Sequence, residues 1–135
     1  MEVCVQISKE IQESEVVSLY RENGWSSAQC PDKLIPALLN SDTLVTARVN
    51  NELIGLGNAI SDGSLVVYYP HLLVHPNYQG LGVGRKIMQV MQTKYQSFHQ
   101  QMLTSDIDAV EFYKALGFER AGKTEPMWIY AGDDH

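Results

Sequence analysis

Residues 72–95, LLVHPNYQGLGVGRKIMQVMQTKY, constrain this chain more than any other stretch. An apolar run turns at His75-Pro76-Asn77, and three glycines then fall within five residues, at Gly80, Gly82 and Gly84. Beyond them Ile87, Met91, Tyr95 and Phe98 recur along one helical face. Strand, glycine-rich turn and helix N-terminus together present backbone N–H groups and a positive dipole end, a combination suited to a phosphate. Gly82 and Gly84 lack a Cβ, so a diphosphate has room to lie against the main chain, and Arg85 and Lys86 add positive charge one turn later.

Two common phosphate motifs fail on spacing. A dinucleotide fingerprint needs a third glycine where Arg85 stands, and no Gly-Lys-Ser/Thr run of the Walker type occurs. What remains is Gln79-Gly80-Leu81-Gly82-Val83-Gly84, read as Gln-x-x-Gly-x-Gly, behind the strand Leu72-x-Val74-x-Pro76. This closely resembles the acetyl-CoA signature of the GNAT superfamily of N-acetyltransferases. A second stretch, Asp106-x-x-Ala109-x-x-Phe112-Tyr113-x-x-x-Gly117-Phe118, is similar to the other signature of that superfamily. It departs at Asp106, where asparagine is usual, and an ionised aspartate has no side-chain hydrogen to donate.

The 135 residues suffice for one domain with its own core, spanning 1–135. At 44% hydrophobic and 19% charged, the composition is that of a globular protein. No apolar run reaches the roughly 18 residues of a membrane span, so no membrane partner is expected. No secretory h-region opens the chain, and the cytoplasm is the simplest location. A net charge of −6 argues against nucleic acid. The cysteines, Cys4 and Cys30, form neither a disulfide framework nor a metal cluster, and Cys4, between Val3 and Val5, reads as a buried thiol. The four histidines show no metal-ligand spacing, so no metal is expected.

In order, the pattern predicts a strand at 2–7 and a helix capped by Ser14 that ends near Asn23-Gly24. Pro31 opens a second helix, and a three-strand meander follows with turns at Asn50-Asn51 and Asp62-Gly63. Its third strand, 64–75, is mostly apolar on both faces between Leu65 and Leu73 and reads as central and buried. After the long helix come a strand at 101–105, a helix at 108–116 closed by Gly117, and a last hairpin pairing 118–121 with 127–130. The expected class is α/β (α+β), with a mixed, mostly antiparallel sheet of about seven strands and helices on both faces, in the order β-α-α-β-β-β-α-β-α-β-β. The resemblance implies the same fold.

The resemblance also implies acetyl transfer from acetyl-CoA to an amine by direct attack on the thioester in a ternary complex. The pantetheine arm would pair with Leu72, Leu73 and Val74, and the pyrophosphate would meet the N–H groups from Gln79 through Gly80, Leu81, Gly82, Val83 and Gly84 to Arg85. Asp106 stands where relatives carry a ligand-directed amide. A backbone N–H near Leu73 or Val74 is the expected oxyanion donor. Tyr113 is the expected donor to the leaving thiolate.

The base is less constrained. His71 precedes the oxyanion segment, and alternation would put Tyr69, His71 and His75 on one face, with Tyr68, Pro70 and Leu72 on the other. A water chain is the alternative. Trp25, Tyr20, Tyr68, Trp128 and Tyr130 are candidate walls of the acceptor pocket, with Asp62 or Glu125 as acidic groups that would attract a cationic amine. Three classes follow: a small-molecule N-acetyltransferase, a protein lysine or N-terminal acetyltransferase, and a non-catalytic acetyl-CoA-binding module. The sequence leaves a homodimer open.

Overall fold

The computed structural model describes residues 2–133; positions 1, 134 and 135 of the expected domain lie outside them. Strand β1 (Cys4–Ile7) pairs antiparallel with β2 (Thr43–Val49), and β2 with β3 (Glu52–Ser61). The β2–β3 turn places Asn50 and Asn51 at φ 50 and 68, the mirror-image turn whose twist suits a hairpin. Helices α1 (Glu13–Glu22) and α2 (Pro31–Leu39) cover one face through Val16, Leu19, Tyr20, Leu34 and Leu38. Helix α3 (Val83–Lys94) covers the other through Ile87, Met88 and Met91, joined there by Tyr113 and Leu116 at α4 (Val110–Ala115). Helices on both faces of a mixed sheet are as expected. No helix among the described residues is long and apolar enough to cross a membrane.

The third strand of the meander departs from expectation in a way that builds the site. It is two strands, β4 (Val66–Tyr68) and β5 (Leu72–Val74), both antiparallel to β3. Ile60 pairs with Tyr68 and Gly57 with Leu72, so three steps along β3 match four along its partner, leaving one extra residue between β4 and β5. Such a bulge twists the strand and interrupts its ladder. Pro70 sits inside it and has no N–H to offer a rung. The extra residue also flips the alternation: Tyr69 packs into the α3 core, whereas His71 turns to α1. The expectation that Tyr69 and His71 share a face is therefore corrected. Nor is the segment wholly buried, since Val66 and Tyr68 are exposed.

Strand β6 (Gln100–Met102) runs parallel to β4. The Tyr69 N–H to Met102 C=O bond, 3.0 Å, adjoins this ladder. Past it β5 stays with β3 while the chain after β6 leaves, so the sheet opens as a V between β5 and the 103–106 segment.

Three further expectations change. The described sheet has six strands rather than about seven, because the last hairpin does not form. Residues 120–124 make two local turns, Gly122 N–H to Arg120 C=O and Thr124 N–H to Ala121 C=O, and Pro126 brings no donor. Met127 and Ile129, with no strand partner, stand 94% and 106% exposed. Helix α1 starts after Gln12 rather than Ser14, because Gln12 and Glu15 form a reciprocal capping box. Glu15 additionally pairs with Arg48 at 2.7 Å, so the cap is tied to β2. Cys4 is exposed, since β1 is an edge strand that turns Val3 and Val5 inward.

Close approach of α3 to the sheet depends on two strand glycines. A Cβ at Gly57 would lie 2.8 Å from both Ile87 Cγ2 and Met91 Cε, and one at Gly55 3.2 Å from the Leu73 carbonyl. At its far end α3 is pinned by Lys94 Nζ on Thr43 Oγ1, 2.6 Å, and by the Tyr95 hydroxyl on Asp42. The helix is thus packed on the sheet and tied at its far end, with its N-terminus at the mouth of the V.

Candidate active site

The N-terminus of α3 is open. Gly82 is its cap residue, no side chain caps the first turn, and no acidic residue lies in that turn. Lys86 N–H is bonded to Gly82 C=O, so the N–H groups of Val83, Gly84 and Arg85 precede the first intrahelical rung. Gly80 and Gly82 lie at φ 79 and 82, where only glycine is unstrained, and a Cβ at either would meet nothing within 4 Å. The space facing this loop is therefore a surface available to a ligand. Val83 is buried and anchors the helix start, while Leu81, Arg85 and Lys86 are exposed.

Gln79, expected to contribute to the phosphate loop, does something more specific with its side chain. Its Nε2 donates to Val74 C=O at 2.9 Å and to Asn23 Oδ1 at 3.4 Å, tying the loop to β5 and to the end of α1.

Strand β5 offers its free edge to the V. Asn58 N–H donates to His71 C=O and His75 N–H to Ile54 C=O, so His71, Leu73 and His75 carry the rungs to β3. By antiparallel alternation the N–H and C=O groups of Leu72 and Val74 point the other way, toward the gap. The expectation naming Leu73 as an oxyanion donor is corrected on this ground: its N–H faces β3 and its side chain is buried against α1. Leu72 and Val74 are the residues placed to pair with a ligand or to donate to a carbonyl oxygen.

Tyr113 packs against Phe112 and Phe118 at ring separations of 5.0 and 6.0 Å. Burial, reinforced by the Asp106 carboxylate, pushes its phenol up to about 12. A phenol that remains protonated this firmly is a hydrogen-bond donor to an anion rather than a strong acid. Asp106 precedes the 3₁₀ turn Ile107–Ala109 and makes no side-chain cap there. Its carboxylate instead acts electrostatically on Tyr113. Gly117, at φ 96, closes the segment after α4 as expected.

His71 lies in an aromatic cluster, 5.4 Å from the Tyr20 ring and 5.1 Å from Trp25. Its Nδ1 is 2.7 Å from the Tyr20 hydroxyl. Burial holds the Tyr20 phenol far above its usual range and the imidazole down at about 4. The arrangement that satisfies both has Tyr20 donating to Nδ1 and the proton on Nε2. Such an imidazole is neutral but weakly basic. Because the folded-state value lies below the unfolded 6.5, the unfolded chain binds the proton more readily, and stability falls as pH drops from 6.5 toward 4. The expected loss is on the order of 3 kcal/mol. Thermal unfolding of wild type and His71→Phe across that window checks it: the wild type should show the slope and the variant should lack this share of it.

The acceptor-side expectations divide. Trp25 borders a cleft of about 450 Å³ whose lining also includes Asp106 and Asp108. Tyr130 joins the same loop through its hydroxyl, 3.3 Å from Ser26 Oγ, and stacks on Trp128 at 4.3 Å. Tyr68 is exposed, with its hydroxyl 3.5 Å from Thr104 Oγ1. Tyr20 is wholly buried and serves His71 rather than forming a wall. Asp62 does not join the group. Its Oδ1 accepts from Ser64, Leu65 and Val66 N–H, which lowers its pKa and commits it to the β3–β4 turn. Sequence reasoning missed Asn58 and Gly57. The motif Gly55-Leu56-Gly57-Asn58, with glycines and an asparagine inside an apolar strand, was the available signal.

Comparison with known proteins agrees with this geometry. The family model described as the acetyltransferase (GNAT) domain matches residues 9–127. The uncharacterized N-acetyltransferase ycf52 of Pyropia yezoensis is 26% identical over 124 residues, covering 87% of this chain and 70% of that protein. Among solved structures, the GNAT family protein SP0256 of Streptococcus pneumoniae superposes with a TM-score of 0.84 at 25% identity, covering 97% of this chain and all of that one. The fold is shared at 17% identity by AAC(6')-Iy in complex with the bisubstrate analog CoA-S-monomethyl-acetylneamine, with a TM-score of 0.72 and coverage of 98% and 99%. The V-shaped opening, the uncapped helix behind its glycine loop and a family match over most of the chain lead to one assignment: the chain belongs to the GNAT family of acetyltransferases.

Proposed function

We propose that this acyltransferase moves the acetyl group of acetyl-CoA to the primary amine of a small molecule, by direct attack in the V between β5 and β6. The observation that carries the reading is the continuity of the β5 free edge with the glycine loop. Leu72 offers its N–H and C=O and Val74 its N–H to an extended arm, and 83–85 offer N–H groups to a diphosphate at its end. Acetyl-CoA supplies an activated thioester. The chain's part is to hold that ester, donate to its carbonyl oxygen from Leu72 or Val74, and donate from Tyr113 to the sulfur as it leaves.

The amine enters by the cleft between Trp25 and the 106–109 turn, where the Asp106 and Asp108 carboxylates suit a cationic group. Its ammonium must first lose a proton. With His71 weakly basic and its Nδ1 engaged, water in the cleft takes that proton in this reading. The CoA–acetylneamine analog held by AAC(6')-Iy supports an amine-bearing small molecule as acceptor.

A panel of polyamines, amino sugars and arylalkylamines with acetyl-CoA, followed by release of free thiol, tests this. Expected is release that depends on one amine class and rises with pH above neutrality. Release with lysine peptides alone would make the protein a protein acetyltransferase. Tight CoA binding without release under any condition would make it a binding module.

A further inference from the structure

At the bulge between β4 and β5 the His71 N–H is taken up by one buried side chain rather than by a strand carbonyl. Asn58, 3% exposed on β3, accepts from His71 N–H through Oδ1 at 3.0 Å. Its own backbone N–H donates to His71 C=O at 3.1 Å, so both main-chain groups of His71 are held by one residue. Its Nδ2 donates to Ser41 Oγ at 3.0 Å, and Ser41 Oγ donates in turn to Ala37 C=O at 2.9 Å in the last turn of α2. Pro70 contributes no N–H, and Tyr69 N–H is taken by Met102. The backbone donors of the bulge are thereby all accounted for.

We infer that Asn58 is a positioning residue for acetyl transfer: by clasping His71 at the bulge, it sets the direction in which β5 leaves β6 and aims the Leu72 N–H at the acyl carbonyl. This rests on the acetyl-CoA reading above. Leu72 N–H shares a peptide plane with His71 C=O, so a shift of the His71 Cα, whose N–H the Asn58 side chain holds, tilts that plane and the Leu72 N–H with it. The pyrophosphate end is fixed separately, by the strand glycines under α3 and by Gln79 on Val74. Loosening the clasp should therefore disturb the reacting carbonyl more than the grip on CoA.

Three variants separate the roles. Asn58→Leu keeps the size and loses both side-chain bonds; Asn58→Asp keeps the acceptor for His71 N–H; Ser41→Ala cuts the tie to α2 alone. Each is measured for kcat, for KM of acetyl-CoA, for affinity toward free CoA, which has no acyl carbonyl, and for hydrogen exchange at the His71 amide. Asn58→Leu should lose kcat by about 100-fold, the scale of a misplaced reacting group, with CoA affinity nearly unchanged and the His71 amide exchanging fast. Asn58→Asp should recover most of the kcat and the protection, and Ser41→Ala should retain both. Should Asn58→Leu fail to fold, Asn58→Ala is read the same way.

Wild-type kcat in a folded Leu or Ala variant would overturn the inference. So would equal losses in kcat and CoA affinity, or a Ser41→Ala variant as slow as Asn58→Leu. The exchange measurement needs no turnover: an unprotected His71 amide in the wild type refutes the clasp itself. A protected amide in a protein that never uses acetyl-CoA refutes both the functional reading and the positioning role that rests on it, leaving a purely structural bond.

Discussion

Tyr113→Phe should lower kcat by about 100-fold, the scale of losing one hydrogen-bond donor to charge that builds in the transition state, while acetyl-CoA affinity changes little. The substitution removes one oxygen from a ring held between Phe112 and Phe118, so the packing survives. The thiolate that departs has a conjugate acid near 8.5, well below a phenol pushed up to about 12. Full proton transfer would be uphill, and the hydroxyl contributes chiefly as a hydrogen-bond donor while charge builds on sulfur. That interaction exists in the transition state and not in the ground state, so its loss should fall on kcat and kcat/KM together. Steady-state rates with a calorimetric Kd for CoA decide the matter. A Phe variant at wild-type speed would return Tyr113 to the core and leave water as the donor.

Gly57→Val should destabilise the fold by about 3 kcal/mol, roughly 10 °C in Tm for a domain of this size. Even the first carbon added would sit 2.8 Å from Ile87 and Met91, inside a core where helix and sheet are both fixed. Relief requires α3 to move outward, and the helix carries the N–H groups of 83–85 with it. CoA affinity should therefore fall along with stability. Gly24→Ala is the control: its φ is also positive, at 72, but no atom lies within 4 Å of the new Cβ, so only the conformational cost of about 1 kcal/mol applies. Thermal melts of the two variants distinguish crowding from backbone strain. Equal shifts would mean that the close approach of α3 is not what Gly57 provides.

The parts of the site that were legible beforehand are local ones. The turn at Gly80 and Gly82 takes a positive φ that glycine allows without strain, and Gly117 closes its helix for the same reason. The α3 face of Ile87, Met91 and Tyr95 follows from helical periodicity, and the Asn50-Asn51 turn from its residues. These depend on neighbours along the chain, so the order of letters contains them.

Cross-strand register decided the rest. Pro70 was visible as a break in a strand, but only the pairing of Ile60 with Tyr68 and Gly57 with Leu72 shows that one residue is extra. That single residue sends Tyr69 to α3 and His71 to Tyr20, and makes the imidazole a poor base where its place before the oxyanion segment suggested a candidate. Asp62 looked available and is consumed by its own turn, because three N–H groups converge on one oxygen once the hairpin closes. The segment 127–130 is an apolar run that reads as a strand, yet it finds no strand partner and Met127 and Ile129 stay exposed. By itself the sequence determined the glycine loop, the helix behind it and the family they resemble. Which N–H groups of β5 face the gap, and which side chain holds the bulge that opens it, were decided by tertiary structure, because a hydrogen bond between residues 58 and 71 exists only after both strands are in register.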